Sequence, residues 1–283
     1  MFRNRLPVYL LALLSLGLMS SGCGEGSSGS DSGSKCEEAP AGTVERISQY
    51  ILADSCGKLI IEVDSVATSA PTANAETYIE SILEEVLDKP DGVEVRRDEM
   101  GLESRGADHA WTPQEINQLL AQTYNLEVEE GAIKMHALFL DGHYAGSTGA
   151  RRILGLDWED FVHVVVFKGE IESICSTGLY ASIPDAENTL LCEHAESAVW
   201  LHQLGHLLGL VNKGVPNVGD HEDPEHPGHS TGEDSVMRWD FEWSELDGGA
   251  IDQFFDRMTI NQKDPLGLGA DCSADLASFR EAP

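Results

Sequence analysis

Along residues 58–167 the apolar positions switch repeatedly between a two-residue and a 3.6-residue period. Residues 58–66 (KLIIEVDSV) alternate and are β-branched, the pattern of a strand. In 74–87, Tyr78, Ile79, Ile82, Leu83, Val86 and Leu87 recur at helical spacing, and Lys89-Pro90-Asp91-Gly92 ends that helix in a turn. A short strand follows at 93–97. Thr112-Pro113-Gln114-Glu115 has the form of a capping box with proline at the first helical position, predicting a helix to about Tyr124. The runs 133–140 (IKMHALFL) and 161–167 (FVHVVVF) are the most strand-like, with a loop over 142–149 and a short edge strand over 151–156 between them. Residues 193–210 carry the best helical pattern. A long loop rich in Gly, Pro, His and Asp comes next, then a helix over about 249–258. Strands alternate with helices up to Phe167, and helices and loop follow. This order predicts an α/β or α+β domain with one mixed sheet.

Composition changes the picture at two points. Hydrophobic (41%) and charged (24%) contents are those of a globular protein, but the net charge is −31. A phosphate backbone needs a basic surface, so nucleic acid is excluded as a partner. The charge fits a solvated acidic surface on an extracytoplasmic protein. At the N-terminus, Arg3 and Arg5 precede an apolar run over 6–19, then Ser20, Ser21, Gly22 and Cys23. This is the order of a secretory signal, too short to span a membrane comfortably. A cysteine placed there resembles a bacterial lipoprotein signal, which implies a lipidated Cys23 anchored in the membrane and an envelope or extracellular location. Residues 1–22 are then the signal peptide, 23–35 a Gly/Ser-rich tether, and 36–283 one domain, with a sheet-and-helix part over 37–170 and a C-terminal part over 190–283. Export permits disulfides. Cys36 with Cys56, and Cys175 with Cys192, are the pairs proximity suggests, leaving Cys272 over.

Candidate chemistry concentrates in the strongest helix. His202 and His206, four apart, share one helix face and can offer two imidazoles to one tetrahedral zinc ion. Ala198, Val199, Leu201, Leu204, Leu207 and Leu208 wrap the rest of the circumference, so both rings are buried. Two buried histidines satisfied by hydrogen bonds are the plain alternative. Three features favour a metal: Gly209 placed to turn the chain after the helix, six of ten histidines within 194–229, and Ser235-Val236-Met237-Arg238-Trp239 beyond the loop.

Together these resemble the metzincin clan of zinc metallopeptidases, whose pattern is H-E-x-x-H-x-x-G-x-x-H followed by a methionine turn. The motifs cover 193–239. The resemblance implies a zincin-like mixed sheet, a buried active-site helix, zinc as cofactor, protein or peptide as substrate or ligand, and Met237 in the turn. Two positions depart from the clan. Its third ligand falls where this chain has Asn212, a poor zinc ligand. The third ligand is then expected from the loop, His221 first for its short return and His229 second. Asp220, Glu222, Asp223 and Asp234 leave calcium open as an alternative cation. The second departure is Gln203, in the place of the glutamate that takes a proton from zinc-bound water. General-base catalysis contributes about 10²–10⁴-fold, so a neutral amide there separates holding the metal from using it. Glu196 points elsewhere on the helix, and Glu222, Asp223 and Glu233 are the carboxylates available to replace it. An active peptidase with a substitute base and a non-catalytic, calcium-stabilised surface protein remain as alternatives. His163 reads as a strand residue, and His109, His136 and His143 have no partner spacing.

Overall fold

Nine consecutive buried residues, Ala132–Leu140, mark the centre of the sheet. A strand buried on both faces reads as a continuous apolar run and belongs inside a parallel sheet flanked by helices. The computed structural model describes residues 36, 38–54, 56–98, 101–149, 151–158, 161–176, 183–245 and 265–282, which fall in one compact unit, Ser34–Pro283. Cys23 and the helix expected over 249–258 lie outside the described residues.

The elements run α1 (Val44–Ile51), β1 (Lys58–Ser65), α2 (Ala73–Val86), β2 (Val93–Arg97), β3 (Ala110–Trp111), α3 (Pro113–Thr123), β4 (Ala132–Leu140), β5 (His143–Tyr144), β6 (Arg151–Ile153), β7 (Gly155–Asp157), β8 (His163–Phe167), α4 (Lys168–Cys175), α5 (Asp185–Leu207), β9 (Trp243–Glu245) and α6 (Gly269–Glu281). The main sheet has the order β2-β1-β4-β8-β7, parallel except for β7, which pairs antiparallel with β8. Two-stranded pairs β3–β5 and β6–β9 flank it. The protein is therefore a mixed α/β fold with a mostly parallel sheet.

Alternation on the strands divides the core. Leu59, Ile61 and Val63 of β1, Met135 and Phe139 of β4, and Val164 and Val166 of β8 face α2, α4 and α5. Leu138, Leu140, Val165 and Phe167 face α3, where Ile116 and Leu120 cover them. The capping box expected at Thr112 forms. Thr112 and Glu115 make both halves of the capping box, and the Thr72 hydroxyl accepts from Ala75 N. Both proximity-suggested disulfides are present, Cys36–Cys56 and Cys175–Cys192.

Three boundaries differ from expectation. The strongest helix starts eight residues early, at Asp185, because Cys192 and Leu191 seat its first turns against α4. The single edge strand over 151–156 is two: β6 leaves for β9, and β7 joins the sheet. The strand expected from Phe161 starts at His163, since Phe161 has a left-handed φ of 54°.

Candidate metal centre

Helix α5 brings the two histidines into the interior because it is buried on every side from His194 to Leu207. Trp200 sits edge-on to Phe139 of β4 at 4.9 Å and pins the helix to the sheet. One turn apart on this rigid support, His202 and His206 face each other with their Nε2 atoms 3.0 Å apart. The Nδ1–H of His202 donates to the Val236 carbonyl at 2.6 Å, which fixes the tautomer and leaves Nε2 as an acceptor lone pair, within hydrogen-bond distance of His206 Nε2.

The helix ends as its glycine predicted. Gly209 adopts φ +73°, and the chain continues through the left-handed residues Val211 and Asn212. A Cβ on Gly209 would meet Ile47 Cδ1 at 2.8 Å, so the turn also lies tight against α1. The loop then folds back on itself. Glu222 bridges Ser230 antiparallel, Asp223 N donates to His229 O and Thr231 N to His221 O.

The folded-back loop brings one of its histidines to the helix pair. His229 is the one brought to the helix pair, its ring centroid 5.3 Å from that of His202 and 5.1 Å from that of His206. Glu242 completes the group. A ring nitrogen from each of the three histidines and a Glu242 carboxylate oxygen all lie within 4.8 Å of one another. The placement of His221, first choice for this position, is corrected. It sits on the other side of the hairpin, its Nε2–H donating to Asp275 of α6 at 2.8 Å with Ser230 Oγ 3.3 Å from Nδ1. Together with the buried thiol of Cys272 it forms a separate cluster. Asn212 turns to the loop, donating to Glu222 at 2.6 Å and accepting from Asn217 N.

Met237 lies directly under α5. A Cβ on Gly205 would stand 2.3 Å from its sulfur, so only glycine lets the turn pass there. The turn is fastened on both sides: Ser230 N donates to Met237 O, Val236 N to Gly267 O, and Ser235 Oγ to Leu268 O. Gln203 is fully buried against Gly155 of β7, and neither its amide oxygen nor its nitrogen has a partner among the described residues. Glu196 faces away as expected, paired with Lys168 at 3.0 Å and accepting from Thr72 N. Of the four carboxylates considered for calcium, Glu222 and Asp223 are engaged within the loop, by Asn212, Gly228, Glu225 and His226. Among the described residues those four do not form a metal-sized group.

No family model, curated protein or solved structure matches this chain.

The donor set fits a borderline-soft divalent ion. Ligands at about 2.0–2.1 Å around a tetrahedral zinc lie about 3.3 Å apart, close to the 3.0 Å between the two helix Nε2 atoms. His229 is nearly buried, and neither of its ring nitrogens makes a hydrogen bond within the described structure. An imidazole left so is costly unless something else uses it. Burial holds His202 and His206 well below the usual histidine pKa, and neighbouring ring and Lys213 charges push the same way. Both are therefore neutral, the form that ligates. Sequence reasoning missed Glu242. It lies far down the chain, at the end of a 3₁₀ turn (Trp239–Phe241) with no motif around it.

Proposed function

We propose that this chain is a zinc-binding protein of metzincin-like build, carried on the bacterial cell envelope by a lipidated Cys23, in which peptide hydrolysis is impaired. The convergence of His202, His206 and His229, with no hydrogen bond competing for His229, carries the reading. The mixed sheet, the buried helix, the loop after it and Met237 beneath Gly205 support the clan resemblance. The third histidine comes from much farther along the chain than in the clan pattern.

Bound zinc supplies Lewis acidity where it keeps an open position. Within this chain, His202, His206 and His229 hold the ion, and the Val236 carbonyl orients His202. Gln203 brings a neutral amide where a proton acceptor is needed, and it is packed under Gly155 rather than paired. The role left to the site is to bind, with peptides or partner proteins as ligands of the surrounding surface. An active endopeptidase is the second reading, favoured by one observation: Glu242 stands beside the histidines.

Elemental analysis of the purified chain tests the proposal. One zinc per chain is expected, lost in His202→Ala, His206→Ala and His229→Ala and retained in His221→Ala. Absence of zinc from the wild-type chain, or its full retention in His229→Ala, overturns the metal site. Chelator-sensitive cleavage of casein overturns the impairment.

A further inference from the structure

We infer that Glu242 is the fourth protein ligand of this centre and that it closes the site to water and substrate. The inference rests on the three-histidine reading above and goes beyond it, because it decides what the metal can do.

Distance separates the two roles open to this carboxylate. A general base acts on a metal-bound water, so it stands one water molecule away from the ion. A ligand stands at a vertex, about 3.3 Å from its neighbours. Glu242 Oε2 is 3.0 Å from His229 Nε2, the spacing of an adjacent vertex. The contact lacks the alignment of a hydrogen bond, since His229 Nε2 has no hydrogen-bond partner. A carboxylate oxygen held this close to a ring nitrogen, without hydrogen-bond alignment, is the spacing that two ligands of one cation would have.

The backbone holds Glu242 in this position from both sides. Its amide donates to Trp239 O at 3.1 Å, closing the 3₁₀ turn, and its carbonyl accepts from Leu154 N at 2.8 Å and more weakly from Gly155 N. The next residue, Trp243, opens β9 in register with Ile153 of β6. Trp243 also lies edge-on to His229, with Arg151 stacked 3.8 Å over its ring. The carboxylate therefore enters from an anchored strand junction that a swinging loop could not reproduce. With its side chain 18% exposed, it forms the outer wall of an otherwise buried histidine cluster. Three histidines and a glutamate fill a tetrahedral ion, which is the closed arrangement of a structural site.

Cobalt(II) is the probe, loaded into the full chain after chelation. The wild-type spectrum is expected to show intense four-coordinate bands that do not move with added azide or between pH 6 and 9. Glu242→Gln is expected to make the bands azide-sensitive and to weaken zinc affinity about 100-fold or more, since even residues that only support a ligand cost 10–100-fold. Azide-sensitive bands in the wild-type chain would show an open position and overturn the closure. Unchanged zinc affinity in a folded Glu242→Gln chain would overturn the ligation. A wild-type chain that takes up neither cobalt nor zinc sinks the underlying three-histidine reading instead. The azide arm needs no variant, so a Glu242→Gln chain that fails to fold leaves the test standing.

Discussion

Replacing Gly205 with alanine tests whether the turn at Met237 and helix α5 are one mechanical unit. In an exposed helix interior this change stabilises by about 1 kcal/mol, because glycine has more backbone freedom to lose. Here the new methyl would stand 2.3 Å from Met237 Sδ, 3.2 Å from its Cε and 3.4 Å from Leu210 Cδ1. Carbon contacts are comfortable at about 3.5–4.0 Å, so the methionine has to retreat by more than an ångström in a fully buried setting. Overpacking of this kind costs about 1–3 kcal/mol. The expected net effect is a loss of up to about 2 kcal/mol rather than a gain. The retreat also drags Val236, whose carbonyl holds His202. Loss of such a supporting bond lowers metal affinity about 10–100-fold. Urea unfolding of the chelated protein gives the first quantity and zinc competition against a chromogenic chelator the second. Adding Met237→Ala removes the clash, so the double variant should show favourable coupling between the two sites. A Gly205→Ala chain that gains the full helix increment and binds zinc like wild type would refute the reasoning.

Two further perturbations follow from buried polar groups. Gln203→Glu places a carboxylate under Gly155 where neither amide atom has a partner, so the chelated variant should lose about 1–3 kcal/mol at pH 8 by urea unfolding. It should gain no chelator-sensitive peptidase activity; the appearance of such activity would show that this side chain reaches the metal. A pH test uses Asp64 and His136, in contact at 3.1 Å beneath α3. Burial and the Asp98 charge push Asp64 from 3.8 up to about 7, and burial holds His136 down from 6.5 to about 4. Between pH 4 and 6.5 the folded pair holds one proton and so does the unfolded chain, so the pair adds no slope. In Asp64→Asn the unfolded chain protonates His136 below pH 6.5 while the fold resists, so stability falls as pH falls, by about 1.4 kcal/mol per unit. Urea unfolding at pH 6.5 and 4.5 should show the variant losing about 2 kcal/mol relative to wild type; a constant difference would contradict the shared proton.

The parts of this molecule fixed by local chemistry were legible in the sequence. Thr112 and Glu115 satisfy the first amides of their own helix, Gly209 turns its own helix end, and the four-residue spacing of His202 and His206 suffices to align their rings. What escaped depends on contacts between distant segments. His221 and His229 flank one antiparallel bridge, Glu222 with Ser230, and which of them faces the helix is settled by the hairpin's orientation, not by loop length. Glu242 arrives through a carbonyl held by Leu154 and Gly155, a junction created only when one apparent strand splits into β6 and β7. His136 gains Asp64 and His163 from the register of three parallel strands, which no spacing along the chain encodes.

Cys272 bears on how the covalent framework is preserved. It is the thiol left over beside two disulfides, and an unpaired thiol in an oxidising setting can attack either bridge. Burial pushes its pKa up to about 12. Exchange proceeds through the thiolate, and at pH 7.5 that form is then about one molecule in thirty thousand. Docking of α6, through Asp275 on His221 and Ser235 against Leu268, therefore withdraws the odd sulfur from shuffling. Rearrangement would first require α6 to lift from its seat, and among the described residues Cys272 is the only thiol that could take part in it.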